Sequence, residues 1–157
     1  MTKEISNYIS EFETIYSGEP WYGKSLMAVI SNADPKDVFK KPKSTGHSAY
    51  EITQHLYAWR DLLVKRLKGD TQASIEMNSK EDWAALPKEQ NAETWKALIK
   101  KLEVNQLELI KSLPDWSDSS LDKDFAATSY SLRTFLNGQI QHDIYHIGQI
   151  ALALKNA

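Results

Sequence analysis

Four stretches of the sequence repeat apolar residues every three or four positions, and this pattern limits the fold more than any other feature. Each set lies on one side of a helix: Ile5, Ile9, Phe12 and Tyr16; Ile52, Leu56, Trp59, Leu63 and Leu67; Trp95, Leu98, Leu102, Leu109 and Ile110; Leu132, Leu136, Ile140, Ile147, Ile150 and Leu154. The alternation typical of strands is scarce. Amphipathic helices bury their apolar sides against one another. The sequence therefore predicts an all-α four-helix bundle.

Residues that start and stop helices stand where these apolar patterns begin and end. Ser48 and Glu51 are spaced as in a capping box, in which each side chain accepts a hydrogen bond from the other residue's backbone N–H. This pair predicts that the second helix begins at Ser48, and Gly69 predicts its end. Asn91 is a suitable N-cap for the third helix, and Pro114 marks the end of that helix.

The segment after the first apolar pattern is interrupted. Gly18 and Pro20 end that pattern, and Leu26 and Ile30 resume helical spacing within residues 21–30. We predict one helix with a break over this segment.

A long polar connection, residues 70–90, separates the second and third helices. Most helix–helix connections are shorter, so this one permits a crossover rather than a simple up-down-up-down order. The length of 157 residues is typical of one domain. We therefore predict a single domain over residues 1–157.

Charge and composition exclude several classes of partner. The chain has 19 Lys and Arg residues and 21 Asp and Glu residues, so its formal net charge is -2, and no long block carries one sign. Nothing in this balance favours nucleic acid or an anionic membrane surface as a partner.

The chain contains no cysteine, which excludes disulfides, thiolate metal ligands and a cysteine nucleophile. The absence also fits a reducing compartment. The first residues mix polar and apolar types, unlike a signal peptide, and no apolar run approaches the roughly 18 residues of a membrane span. We expect a soluble, cytoplasmic protein.

Two of the four histidines, His142 and His146, are four residues apart on the predicted last helix. Residues at this spacing lie on one side of a helix, with Cβ atoms about 5–6 Å apart. Two such imidazoles can bind one metal ion, and neutral imidazole is a common ligand of zinc, nickel, iron and copper. The alternative is a pair of surface or hydrogen-bonded histidines, because the spacing also arises by chance.

His55 lies within the apolar stripe of the second helix, beside Ile52 and Trp59. A histidine in that position faces the bundle interior or its edge and needs polar partners. Either His55 is a core histidine that is hydrogen-bonded to a side chain or a backbone carbonyl, or it is a third metal ligand from a facing helix. Three protein ligands leave a position open for water or substrate, as in catalytic metal sites.

Several other side chains are candidates for a role near these histidines. Asp143 falls on the apolar side of the last helix, so we predict that it is buried and hydrogen-bonded. It either orients a ligand histidine or bonds a Trp, a Tyr or a backbone amide. His47 precedes the capping box and is expected at the surface, outside the site. Trp59, Trp21 and Tyr22 could line a pocket, although aromatic residues at helical spacing more often belong to the core.

Three segments of the sequence resemble the DinB/YfiT-like superfamily of metal-dependent enzymes. They read HSAYEITQHLYAWRD around His55, QHDIYHIGQI around His142 and His146, and YSGEPWYG near the start. The resemblance covers nearly the whole chain. It implies a four-helix bundle of up-down-down-up order and a divalent metal ion (nickel, zinc or iron) held by His55, His142 and His146.

The same resemblance implies a reaction class. Some members are similar to transferases and isomerases that use a low-molecular-weight thiol, so we expect transfer of such a thiol to a small electrophile. Because this chain has no cysteine, a cosubstrate must supply the thiol. Two alternatives are a metal-dependent hydrolase, for which Asp143 and His47 are the candidate bases, and a non-enzymatic metal-binding stress protein.

The sequence also suggests self-association. It contains five tryptophans and seven tyrosines, and Tyr57 and Tyr145 lie away from the apolar stripes of their helices. Exposed aromatic residues are common at protein interfaces, and the resemblance implies that dimers are frequent. We expect a homodimer that acts on a small molecule, against the alternative of a monomer with scattered surface aromatics.

Overall fold

The computed structural model describes residues 2–43 and 46–157. Within these two ranges the secondary structure is helical, without any β-strand, which confirms the predicted all-α class. The α-helices of the described chain are α1 (Lys3–Ser17), α2 (Leu26–Ile30), α3 (Ala49–Leu67), α4 (Ala92–Ser112) and α5 (Leu132–Lys155). None of these helices is long and apolar enough to cross a membrane.

The predicted caps of α3 and α4 are confirmed. The Ser48 side chain accepts a hydrogen bond from the backbone N–H of Glu51, and the Glu51 carboxylate accepts one from the backbone N–H of Ser48 at 2.9 Å. Asn91 accepts a hydrogen bond from the backbone N–H of Thr94 at 2.9 Å. Gly69 has a φ of +96°, the left-handed conformation in which glycine commonly ends a helix.

The prediction of one broken helix over the first 30 residues is wrong. The helix α1 ends at Ser17, and α2 is a separate helix of only five residues. The chain leaves helical geometry at Gly18, which is extended (φ −84°, ψ −155°), and Pro20, which lacks a backbone N–H, and Gly23, with a φ of +140°, keep it non-helical before α2. Leu26 and Ile30 are nonetheless fully buried, because α2 packs against α1 and α5.

The four longer helices pack together around one hydrophobic cluster. The helix α3 packs against α4 and α5, and α1 also contacts both α4 and α5. Leu63 of α3, Leu102 of α4 and Leu136 of α5 are fully buried in the shared core. Close packing of α3 on α5 is what positions the functional site, because the candidate ligands lie on these two helices.

Candidate metal centre

The three predicted ligands meet between α3 and α5. The Nε2 atom of His55 lies 3.0 Å from Nε2 of His142 and 3.1 Å from Nε2 of His146. One ring nitrogen from each residue falls within 4.8 Å of the others, an arrangement that could hold a metal ion. His55 and His146 are buried, and His142 is half-buried. The structure thus brings together all three histidines that the sequence singled out.

A loop residue orients the His55 ring. Nδ1 of His55 is 2.8 Å from a carboxylate oxygen of Asp82 and 2.9 Å from the backbone oxygen of Asp82. The same carboxylate accepts hydrogen bonds from the indole N–H of Trp59 and the backbone N–H of Asn78, each at 2.8 Å. Because the carboxylate oxygen and the backbone oxygen of Asp82 can only accept a hydrogen bond, Nδ1 of His55 carries the proton. The Nε2 lone pair then points toward the other two histidines.

A second side chain orients His146 in the same way. Nδ1 of His146 lies 2.7 Å from the amide oxygen of Gln149, one helical turn further along α5. This contact places the proton of His146 on Nδ1 and the lone pair on Nε2. The corresponding Nδ1 atom of His142 is buried and has no hydrogen-bond partner among the described residues.

These tautomers make the centre suited to a cation. The Nε2 lone pairs of His55 and His146 face one another at 3.1 Å, and two lone pairs at that distance repel. Only His142 can donate an Nε2–H, so a single hydrogen bond cannot satisfy the cluster. A divalent ion would accept all three lone pairs. The residues therefore fit a metal ion bound by nitrogen ligands.

Electrostatics keep the ligands in the form that binds metal. Burial, together with the neighbouring His146 and His55, lowers the pKa of His142 to about 3, although Asp82 opposes this effect. Burial and His55 lower the pKa of His146 to about 4, although Gln149 and Asp82 oppose this effect. Both rings are therefore neutral at pH 7, and neutral imidazole is the ligating form.

A family comparison agrees with this geometry. Residues 23–150 match the family model of the DinB superfamily. The chain belongs to the DinB superfamily. Comparisons with curated proteins and with solved structures give no match. The matched region contains all three histidines of the candidate centre.

In this DinB-superfamily protein the histidine cluster opens into a cavity of about 490 Å³. The cavity lies among α3, α5, the connection between α3 and α4, and the connection between α4 and α5. Its lining is mainly apolar and consists of His55, Trp59, Met77, Asn78, Asp82, Trp83, Tyr130, Thr134, Phe135, Gly138, Gln139, His142 and His146. The volume falls within the range of small-molecule sites, about 300–1,000 Å³. Trp59, one of the residues considered as a pocket wall, does line this cavity.

Stacked aromatic rings hold His55 against the loop. The Trp83 ring stacks on His55 with centroids 4.0 Å apart and planes 8° from parallel. His47 stacks on Trp83 at 4.1 Å and 18°. His47 is half-buried and not at the surface as predicted, but it lies outside both the histidine cluster and the cavity lining, as expected. His47, which lies just before α3, contacts the connection that carries Trp83. The spacing of residues along the sequence does not predict this contact.

Asp143 is buried and hydrogen-bonded as predicted, but its partners differ from both alternatives. Its carboxylate accepts hydrogen bonds from Arg60 Nη1 at 2.5 Å and from the side-chain amide of Gln139 at 2.7 Å. Arg60 also donates to the side-chain oxygen of Gln106. Asp143 follows His142 by one residue, or about 100° around the helix, and therefore points into the core instead of toward the ligands. Burial raises the pKa of Asp143, whereas the Arg60 guanidinium favours the carboxylate.

Trp21 and Tyr22 line a pocket, but it is a separate one at the surface and not the cavity beside the three histidines. The Trp21 side chain is fully exposed, and Tyr22 is 41% exposed. They lie in the turn between α1 and α2, beside Ile140 and Ile144 of α5.

Sequence reasoning missed the residues that orient the ligands. Gln149 stands three residues after His146, and this i, i+3 spacing on one helix could have identified it. Asp82 and Trp83 had no such signal, because they lie in an irregular connection. Sequence reasoning also missed Arg60, which pairs with Asp143 in the core and not with a ligand histidine, because a fully buried arginine is rare.

Proposed function

We propose that this protein is a metal-dependent enzyme in which His55, His142 and His146 bind one divalent ion (nickel, zinc or iron). The observation that carries the proposal is the convergence of three Nε2 atoms at the wall of a mainly apolar cavity. Contacts with Asp82 and Gln149 point two of the lone pairs at a common centre. Three protein ligands leave room for a further ligand from the cavity, as in catalytic metal sites.

The reaction that we propose is transfer of a low-molecular-weight thiol to a small electrophile. The thiol proton passes to water, the sulfur forms a bond to the electrophilic carbon, and the leaving group departs with the bonding electron pair. A divalent ion supplies Lewis acidity that favours the thiolate form of a thiol. The protein contributes the orientation of its histidines, and aromatic side chains such as Trp59 exclude water.

Hydrolysis receives less support from the described residues, because neither candidate base is available to the cavity. The Asp143 carboxylate is paired with Arg60 and Gln139 inside the core. His47 is stacked on Trp83 and does not line the cavity. A non-enzymatic metal-binding stress protein would bind the ion without accelerating any reaction, and the assay below separates that outcome.

For the arrangement of the helices we propose the up-down-down-up order within one domain over residues 1–157. Contacts between α3 and α4 support parallel helices, because they join start to start and end to end: Tyr50 with Trp95, and Lys68 with Glu108. Contacts between α1 and α5 support the same relation: Glu4 with Arg133, and Tyr8 with Asn137. Contacts between α3 and α5 support antiparallel helices: His55 with His146, and Arg66 with Phe135.

We also propose that the protein is a cytoplasmic homodimer. Exposed aromatic side chains support self-association, since Tyr145 is 63% exposed on α5 and Trp21 is fully exposed. Tyr57 gives less support, because it is half-buried against the core. Sedimentation velocity of untagged protein tests the proposal, and a single monomeric species up to high micromolar concentration would contradict it.

The enzymatic proposal is tested with untagged protein, because a histidine tag binds metal itself. Elemental analysis should find one divalent ion per chain in the wild type and a strong loss of occupancy in His55→Ala. The metal-loaded protein should accelerate conjugation of a thiol such as cysteine or glutathione to 1-chloro-2,4-dinitrobenzene. Free metal and His55→Ala are the controls. Full occupancy in His55→Ala would refute the three-histidine site, and no acceleration with any thiol would refute the reaction.

A further inference from the structure

One side-chain amide in the cavity lining, that of Gln139, is almost completely buried. Gln139 lies on α5, is 6% exposed and lines the cavity beside the three histidines. It precedes His142 by three positions, so the two side chains lie on the same side of the helix. A polar atom that Gln139 presents to the cavity is therefore available to a molecule bound next to the candidate metal centre.

The buried ion pair in the core decides which way this amide points. Nε2 of Gln139 lies 2.7 Å from Oδ1 of Asp143, and Oδ2 of Asp143 lies 2.5 Å from Nη1 of Arg60. Paired with the Arg60 guanidinium, Asp143 is a carboxylate and can only accept hydrogen bonds. The Gln139 amide therefore directs its N–H group toward Asp143 and its oxygen away from the ion pair.

The amide oxygen of Gln139 is left without a partner. Among the described residues, the one hydrogen bond of this side chain is the bond from Nε2 to Asp143. The oxygen is also not one of the enclosed unpaired atoms of the core, unlike Oδ1 of Asn105. Since Gln139 is otherwise buried, its open oxygen faces the cavity that the residue lines.

Contacts across the whole bundle hold this acceptor in place. Arg60 also donates to the side-chain oxygen of Gln106, and Gln106 donates to the backbone oxygen of Phe12 at 3.4 Å. All four of the longer helices thus contribute to the network behind Gln139. An acceptor that is fixed before a ligand arrives loses little conformational entropy on binding.

The surroundings of the acceptor are mainly apolar, since Trp59, Trp83 and Phe135 also line the cavity. A ligand that covers the Gln139 oxygen without donating to it leaves a buried polar atom unpaired, which is costly. A ligand with an N–H or O–H group at this point avoids that cost. The geometry therefore favours one class of ligand over another independently of the charge of the metal centre.

We propose that Gln139 is a specificity-determining residue. Its amide oxygen accepts a hydrogen bond from an N–H or O–H group of the ligand, while the apolar part of the ligand packs against the aromatic lining. The inference deepens the proposed function and rests on it, because this ligand would be the electrophile that the thiol attacks.

Nuclear magnetic resonance titration with indole and 1-methylindole tests the inference. The two compounds differ by the methyl group that replaces the N–H hydrogen. Neither offers a nitrogen lone pair to a metal, because that pair belongs to the aromatic ring. Untagged, ¹⁵N-labelled protein, with and without zinc, should bind indole about three- to tenfold more tightly, and indole should shift the side-chain amide resonance of Gln139. Equal or tighter binding of 1-methylindole overturns the inference, as does failure of both compounds to bind.

Matched variants connect the preference to this side chain. Gln139→Met removes the acceptor at similar length and should reverse the preference, because the extra methyl group then adds buried apolar area. Gln141→Met is the same substitution at an exposed residue of α5 outside the lining, and it should leave the preference unchanged. A preference for indole that persists in Gln139→Met would belong to another acceptor and would overturn the inference. If Gln139→Met does not fold, the wild-type preference and the shift of the Gln139 resonance decide.

The two proposals fail separately in this experiment. The metal content of every sample is measured alongside the titration. Selective binding of indole by protein that holds no metal even after incubation with nickel, zinc or iron would refute the metal enzyme and support the role of Gln139. Full metal occupancy without a preference for indole would support the metal centre and refute the role of Gln139.

Discussion

At the residue scale, the metal centre depends on side chains that do not themselves bind metal. Asp82 holds the proton of His55 on Nδ1, and Gln149 does the same for His146. Hydrogen-bond partners of this kind fix both the tautomer and the ring orientation of a ligand. The affinity of the centre for a metal ion is therefore expected to respond to changes one contact away from the three histidines.

We predict that Asp82→Ala lowers the affinity for a divalent ion by about 10–100-fold, because His55 loses the carboxylate that orients its ring and keeps only the backbone oxygen of residue 82 as an acceptor. Asp82→Asn should lose less, since an amide oxygen can still accept the Nδ1 proton. Competition with a chromophoric chelator measures the affinity. Glu81→Ala is the matched control, because Glu81 is an exposed acidic residue of the same loop. Unchanged affinity in Asp82→Ala would remove this residue from the centre.

A different residue-scale prediction concerns the buried ion pair of Arg60 and Asp143. Both side chains are fully buried. Asp143→Ala leaves the Arg60 charge without its carboxylate and should lower the free energy of unfolding by about 3–5 kcal/mol. Urea denaturation monitored by circular dichroism measures the change.

The control for this prediction removes both charges together. The double variant Arg60→Met with Asp143→Leu should recover much of the lost stability, because apolar side chains often replace a buried ion pair at little cost. If Asp143→Ala were as stable as the wild type, the ion pair would not stabilise the fold.

At the scale of the elements, the connection before α5 contains backbone conformations that alanine rarely adopts. Ala126 and Ala127 have φ angles of +52° and +55°. A left-handed conformation costs an L-residue roughly 1–2 kcal/mol relative to glycine. These residues precede Tyr130, so the strained turn lies next to a segment that lines the cavity.

We predict that Ala127→Gly raises the free energy of unfolding by up to about 1 kcal/mol, since glycine relieves the strain but loses more entropy on folding. Ala97→Gly in α4 is the control with the opposite sign. This substitution should lower the free energy of unfolding by about 1 kcal/mol, because Ala97 is an exposed residue inside a helix. Destabilisation by both substitutions would contradict a left-handed Ala127 in solution.

At the scale of the whole molecule, the buried histidines couple folding to pH. The pKa values of His142 and His146 fall from 6.5 to about 3 and about 4 in the folded chain. The unfolded chain therefore binds more protons than the folded chain between pH 6.5 and these values. The stability that the neutral His142 and His146 contribute is fully present above about pH 6.5 and declines as the pH falls toward 4.

We predict that the metal-free protein becomes less stable between pH 7 and pH 5, a range above the usual pKa values of carboxylates. Urea denaturation at several pH values measures this dependence. His146→Gln should flatten it, because one of the depressed groups is gone. An identical pH dependence in His146→Gln would show that other groups are responsible. Bound metal should steepen the decline, since protons compete for the ligating nitrogens.

Much of the helical framework could be predicted from the sequence because it depends on near neighbours. The capping box of Ser48 and Glu51 involves residues three apart, and apolar spacing along α3, α4 and α5 reports the buried side of each helix. The exception is α2, where Leu26 and Ile30 show helical spacing but the turn at Gly23 separates the helix from α1. Periodicity alone does not register a change of chain direction between two helical segments.

By itself, the sequence determined that His142 and His146 share one side of a helix and that His55 faces the interior, because helical geometry relates residues a few positions apart. Only the tertiary structure decided that these rings meet, since His55 and His142 are 87 positions apart and their contact depends on how α3 packs against α5. The roles of Asp82 and Trp83 likewise depend on the path of an irregular connection. The pairing of Asp143 with Arg60 was decided in the same way, because the partners of a buried charge are set by packing between helices.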